Sequence, residues 1–278
     1  MSSASLRAIA TDTVSRIPFI LEEVREGSLD STFVEQQLPM LTPDGCPNHS
    51  PSKVSVVNLD AFTAAREMMK KAIERGESVQ RKVTVLNLAN DRYPAGGWGP
   101  KAMFISKTQE EALCYSSTLY PTLKQSYYPW RGRIAGIYSP SVVIFKNDLD
   151  HGCVDLTPDE RKVVSVITVA AEQLRTQPAD GKMGPESLYM MREKIRLVYR
   201  MAASNGQTYL VLGAMGCGAF NCPPAQIAEE MKAILLEDEF RGWFREVVFA
   251  VYAGGSPNFD IFRSTLDGVE LNSVTKAL

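Results

Sequence analysis

Two kinds of apolar spacing divide the chain. Over residues 1–35, Ala10, Val14, Ile17 and Leu21 recur at three- and four-residue intervals, which predicts one or two helices. From Leu38 to Lys53 the pattern breaks at Pro39, Pro43, Asp44-Gly45, Pro47 and Pro51. Beyond it, short β-rich runs alternate with helical patterns. Strands are predicted at Val54–Asn58, Val83–Leu88, Ser141–Phe145, Val163–Val169, Thr208–Leu212 and Val247–Tyr252. Asp60 stands where an N-cap would, ahead of Phe62, Ala65, Met69 and Ile73 on one helical face. Further helices are predicted from about Thr108, over Glu186–Ser204 and over Pro223–Leu236. The run Val83–Leu88 is apolar enough to be buried on both sides, as in a parallel sheet. This alternation implies a central parallel or mixed sheet covered by helices. In such sheets ligands bind beyond the strand carboxyl ends, where loops meet helix N-termini.

Composition narrows the function. The 278 residues are 45% hydrophobic and 22% charged, and 30 Lys+Arg against 32 Asp+Glu give a net charge of -2. That balance lacks the cationic surplus of a broad nucleic-acid surface, but backbone amides can hold a small anion without it. Neither the polar start nor the Gly- and Pro-containing stretch Tyr209–Ala228 reads as a membrane segment. Cys46, Cys114, Cys153, Cys217 and Cys222 form an odd, scattered set, so reduced thiols in the cytosol or nucleus are expected. With only His49 and His151, Cys46-Pro-Asn-His49 finds no second ligand pair, and no metal is expected.

Two glycine-rich loops follow predicted strands. One is Asn87-Leu-Ala-Asn90 continuing to Pro94-Ala95-Gly96-Gly97-Trp98-Gly99; the other is Gly213-Ala-Met-Gly216-Cys217-Gly218-Ala219-Phe220-Asn221. Each reads either as a tight strand-to-helix turn or as a backbone cradle for phosphate. No G-x-x-x-x-G-K-[ST] is present, and the dinucleotide fingerprint fails at Asn221. Cys217 is a weak candidate for an activated thiol, with no histidine near it in sequence.

Thr108-Gln109-Glu110-Glu111 carries two readings as well. Thr108 and Glu111 match a capping box, S/T-x-x-E. Alternatively the two acids face a sugar attached to a phosphate held by the glycine loops. Neighbouring helical residues diverge by about 100°, so one acid is expected to do chemistry and the other to hold hydroxyls. A proton-donating carboxyl would need a raised pKa, favoured by burial and by its like-charged neighbour.

The order N-x-A-N (Asn87–Asn90), P-x-G-G (Pro94–Gly97), Q-E-E-x-L-x-x-S-S-x-L-Y (Gln109–Tyr120), Y-S-P-x-V-x-x-F (Tyr138–Phe145) and L-V-L-G-A-x-G-C-G-A-F-x-x-P-P (Leu210–Pro224) resembles the microbial-type poly(ADP-ribose) glycohydrolases, which are macrodomain proteins. The likeness runs from about Val54 to Tyr252. It implies a macrodomain-like three-layer α/β/α fold with a mixed central sheet. Residues 1–53 would form an N-terminal helical extension and linker, and residues 54–278 the macrodomain. It further implies hydrolysis, without metal or cofactor, of O-glycosidic ribose bonds of poly(ADP-ribose) or of terminal or single ADP-ribose units on proteins, releasing ADP-ribose. The partners implied are ADP-ribose, poly(ADP-ribose) and ADP-ribosylated proteins, with neither nucleic acid nor membrane, and the chain is expected to be a monomer.

Carried over by motif, Glu111 would protonate the departing hydroxyl. Glu110 and Asn90 would hold the distal ribose. Gly96 and Gly97 would face the diphosphate from one side, with Gly216, Cys217, Gly218, Ala219 and Phe220 on the other. Asp60 would meet the adenine amino group, and Phe220, Tyr252 or Phe259 would cover the adenosine. Two departures stand out: Ala95 occupies the first place of the family's triple glycine, and the stretch from Trp98 to Thr108 is longer than usual. Two other readings remain, a non-catalytic ADP-ribose-binding macrodomain in which Glu111 is only a cap, and a nicotinamide-dinucleotide oxidoreductase.

Overall fold

A seven-stranded mixed sheet organises the computed structural model, which describes residues 2–100 and 106–273. In chain order the elements are α1 (Ser3–Glu23), β1 (Thr32–Val34), β2 (Ser52–Lys53), β3 (Ser55–Val57), α2 (Ala61–Glu74), β4 (Val83–Leu88) and α3 (Gln109–Ser116). They continue as β5 (Gly136–Ile144), β6 (Lys162–Val169), α4 (Pro185–Ser204), β7 (Tyr209–Leu212), α5 (Pro224–Leu235), β8 (Glu246–Ala250), α6 (Asn258–Leu266) and β9 (Glu270–Leu271). The sheet order is β1-β5-β6-β4-β7-β8-β3. β6, β4, β7, β8 and β3 run parallel, while β5 is antiparallel to β6, and β1 to β5. β2 and β9 form a separate two-stranded pair.

Side-chain alternation along the strands builds two cores. Val83 and Val85 of β4, Tyr209 and Val211 of β7 and Val248 of β8 face α2 and α3. Their neighbours Leu86, Leu210, Leu212, Val247 and Phe249 face α4, α5 and α6. Helices therefore cover both faces, and the architecture is the three-layer α/β/α arrangement with a mixed sheet that the sequence implies.

Local departures have local reasons. Residues 2–35 form one helix and then a strand; Leu6, Ala10, Thr13, Ile17 and Ile20 make the helix's buried face, with Val14 and Leu21 at its margins. The turn between them passes close to β5, where a Cβ on Gly27 would lie 2.4 Å from the Val143 side chain. β1 then forms the edge of the main sheet, so the amino-terminal segment supplies both a helix and a strand to the body. In α2 the buried stripe is Phe62, Ala65, Met69 and Ala72. Ile73 lies one residue further round and is exposed.

Candidate active site

The carboxyl ends of β3, β4, β7 and β8 open into one cavity of about 770 Å³. One end is formed by the loop after β4 and the first turn of α3. The other is formed by Asp60 at the start of α2, the loop after β5, and Tyr252 after β8. The loop after β7 lies along the same cavity with Gly216, Gly218, Ala219 and Phe220.

The first turn of α3 is stitched to β4. Gln109 acts as a short strand partner: its Nε2 donates to Leu86 O at 2.7 Å, and its Oε1 accepts from Leu88 N at 2.8 Å. β7 pairs with β4 only as far as Val85, so the side-chain amide takes over backbone groups that β7 leaves. Glu110 turns inward beside it. Its Oε2 accepts from Asn90 N at 2.9 Å, and its Oε1 from Asn87 Nδ2 at 3.3 Å. The residue is 2% exposed, and burial, reinforced by the charge of Glu111, pushes its carboxyl up to about 8 against the hydrogen bonds from Asn90 and Asn87.

Glu111 is also buried, and its carboxylate accepts a hydrogen bond from the Thr108 hydroxyl. The Thr108 backbone N–H meets the Ser106 hydroxyl instead of Glu111, and the Thr108 side chain caps no N–H of α3. The reciprocal capping box is therefore absent. The two carboxylates converge despite being sequence neighbours. A Cβ on Gly96, at φ +61°, would lie 2.5 Å from Glu111 Oε1 and 3.6 Å from Glu110 Oε2. Glu110 leans towards β4 and Glu111 towards the loop, which overcomes the divergence expected along the helix.

The two glycine loops differ in detail. Gly96 N donates to Tyr93 O at 3.2 Å, so that amide is already used. Ala95 has φ 52°, and its side chain is fully buried in the apolar core that also holds Trp98 and Leu113. In the other loop, Cys217 N donates to Ala214 O and Cys222 N to Gly216 O, closing the turn. Among the described residues, the N–H groups of Gly218, Ala219 and Phe220 have no hydrogen-bond partner. Three successive unpaired amides at the wall of a cavity make a concavity suited to an anion.

At the far end, Asp60 caps α2, its Oδ1 accepting from Phe62 N at 2.8 Å and Thr63 N at 3.2 Å. Burial raises its carboxyl to about 6, against those two bonds and with help from the nearby Asp148 and Asp150. Burial works the same way on Asp148, but hydrogen bonds from Thr63 Oγ1 and His151 hold it below the usual carboxylate range.

The family description "Microbial-type PARG, catalytic domain" matches residues 32–147, which include Asn90, Gly96, Glu110 and Glu111. Among solved structures, the poly(ADP-ribose) glycohydrolase of Deinococcus radiodurans in complex with ADP-ribose is 31% identical, covers 80% of this chain and 86% of its own, and has a TM-score of 0.63. The chain belongs to the microbial-type poly(ADP-ribose) glycohydrolase family.

A Thermomonospora curvata glycohydrolase of that family is 27% identical over 95% of this chain and 100% of its own, at a TM-score of 0.72. Its complex with the inhibitor ADP-HPD aligns over 94% and 99%, at 27% identity and a TM-score of 0.69. No curated protein sequence matches the chain.

Of the residues that the family resemblance singles out, Asp60, Asn90, Gly96, Glu110, Glu111, Gly216, Gly218, Ala219, Phe220 and Tyr252 all line the cavity. Gly97 and Cys217 do not. Gly97 is exposed outside it, and the Cys217 thiol faces Met215 O at 3.5 Å. Burial raises the Cys217 thiol well above its usual pKa, which removes it as a thiolate nucleophile. Phe259 packs against the α4–α6 core. Most of the long stretch between Trp98 and Thr108 lies at residues 101–105, outside the described residues. Sequence reading missed Gln109, Asp148 and Asp150. For Gln109 the signal was an amide directly before two acids at a helix start. Asp148 and Asp150 stand nearly 90 residues from Asp60, and only β5 brings their loop to the cavity.

Proposed function

We propose that the protein hydrolyses the ribose–ribose O-glycosidic bond of poly(ADP-ribose), releasing ADP-ribose, as a monomer inside the cell. One observation carries this reading. Two buried carboxylates converge on Gly96 at one end of a cavity lined also by Gly218, Ala219 and Phe220, whose N–H groups have no partner among the described residues.

In this scheme the diphosphate sits on those amides, and adenosine extends towards Asp60, between Phe220 and Tyr252. Binding energy from these parts holds the distal ribose against α3. Burial raises the Glu110 carboxyl to about 8, so it keeps its proton near neutrality. A neutral carboxyl both donates to and accepts from ribose hydroxyls, and Asn90 N fixes its orientation. Glu111 gives a proton to the departing oxygen as the anomeric carbon gains oxocarbenium character. Water then attacks that carbon and returns a proton to Glu111.

The experiment is a turnover assay on poly(ADP-ribose) with calorimetry on ADP-ribose. Glu111→Gln is expected to keep ADP-ribose affinity and lose at least ~100-fold in release of ADP-ribose. Full activity in that variant would sink the assignment. Binding without turnover in the wild-type chain would favour the non-catalytic reading.

A further inference from the structure

The amino-terminal helix reaches α3 through one buried side chain. Thr13 has no solvent exposure, and its Oγ1 donates to Tyr115 O at 2.8 Å. The same oxygen accepts from Lys146 Nζ at 2.9 Å. Lys146 follows β5 and is 3% exposed, and its ammonium also pairs with Asp12 of α1. The backbone N–H groups of Phe145 and Lys146 donate to Ser116 O at 3.0 and 3.1 Å. Lys146 therefore closes a ring from the end of β5, through Thr13, back to the last turn of α3.

That last turn needs such partners, because the final carbonyls of a helix have none within it. The buried ammonium also lies at the negative end of the helix dipole. α3 is eight residues long, and Tyr115 stands one turn beyond Glu111. At the other end, Gln109 fixes the helix to β4. A two-turn helix held at both ends cannot slide along the sheet, and each tie sits within about a turn of the carboxylates.

We propose that Thr13, set by Lys146 and Asp12, is a positioning residue for the reaction: α1 holds α3 in the register that keeps Glu110 and Glu111 aligned against Gly96. The inference rests on the reading of that pair as catalytic. It makes the amino-terminal helix a working part of the site. Misplacement of a reacting group by about 1 Å costs on the order of 100-fold in rate, so a small slide of α3 is enough to be read in kcat.

Thr13→Val keeps the shape and removes the hydroxyl, while Thr13→Ser restores it. For Thr13→Val, kcat is expected to fall about tenfold or more, with the Kd for ADP-ribose changed less than about twofold. Hydrogen exchange at the amides of residues 110–116 should quicken, and Thr13→Ser should return both readings to near wild type. A kcat within twofold of wild type in Thr13→Val, or equal losses in kcat and affinity, would overturn the proposal. Should Thr13→Val not fold, Asp12→Asn loosens the same relay from its half-exposed end. There a two- to threefold loss of kcat at constant Kd is expected, and an unchanged kcat overturns the idea. Failure of the glycohydrolase reading would look different, as no ADP-ribose release by the wild-type chain. Hydrogen exchange then decides whether Thr13 holds α3 at all.

Discussion

The two glycine loops read alike in the sequence, each a strand followed by closely spaced glycines, yet they use their glycines for opposite purposes. After β4, Gly96 has already given its N–H to Tyr93 O, and its missing side chain makes room for the Glu111 carboxylate. After β7, Gly218 and its two successors line the cavity with N–H groups that have no partner among the described residues. One loop accommodates acids and the other is arranged to receive an anion. A glycine can therefore serve a site by what it does not occupy or by what it leaves exposed, and only the local hydrogen bonds distinguish the two.

The sharpest way to break the comparison is Gly96→Ala. The new methyl would meet Glu111 Oε1 at 2.5 Å at a backbone φ of +61°, where an L side chain is strained. The carboxylate must move, and kcat is expected to fall by roughly 100-fold or more. Retained turnover in this variant would show that Gly96 does not set the position of Glu111.

Glu110 ties the first loop down through Asn90 N, and it carries the next largest effect. Its pKa is raised from an ordinary 4.5 to about 8 in the folded chain. The folded state therefore holds this proton more tightly than the unfolded state. The stability it contributes is fully present below pH 4.5 and is lost as pH rises through about 8. At about 1.4 kcal/mol per pH unit, this is a change of at most a few kcal/mol. Thermal melts between pH 5 and pH 9 should show a downward slope for the wild type that flattens in Glu110→Gln. Equal slopes would mean that Glu110 titrates as an ordinary surface acid.

Much of this was legible beforehand, for reasons tied to particular residues. The apolar runs of β4 and β7, the Asp60 cap and the Pro223-Pro224 opening of α5 are local signals, and the structure keeps them. β1 was not legible: Thr32-Phe33-Val34 is too short to show a period, and it becomes a strand only because β5 offers an edge. The convergence of Glu110 and Glu111 was hidden as well. Helical geometry separates their Cβ directions, and the long side chains recover the distance by bonding to different neighbours. The jobs of the two loops were hidden because hydrogen bonding of a glycine amide leaves no mark in composition.

Gly218→Ala sharpens the other side of the comparison. A Cβ there meets nothing within 4 Å, so the melting temperature should hardly move. If the diphosphate rests on this stretch, the methyl enters its space. The affinity for ADP-ribose is then expected to fall about 3- to 10-fold, or roughly 1 kcal/mol, with kcat much less affected. Unchanged affinity would place the anion elsewhere in the cavity.

The smallest effect is expected at Ala95, the departure from the family's triple glycine. Its methyl is fully buried in the apolar core that also holds Trp98 and Leu113, and it does not line the cavity. It therefore cannot crowd a ligand there, and restoring glycine should not improve binding. Two energies oppose each other in Ala95→Gly. Relief of the left-handed backbone at φ 52° favours the variant by ~1–2 kcal/mol. Loss of the buried methyl costs ~0.8 kcal/mol, and the freer unfolded chain a further ~0.4–1 kcal/mol. The net change in stability should stay within ~1 kcal/mol in chemical denaturation, with kcat and ADP-ribose affinity unaltered. A gain in affinity on restoring the glycine would mean that the first loop, too, presents backbone to the anion, and the division of labour between the loops would fail.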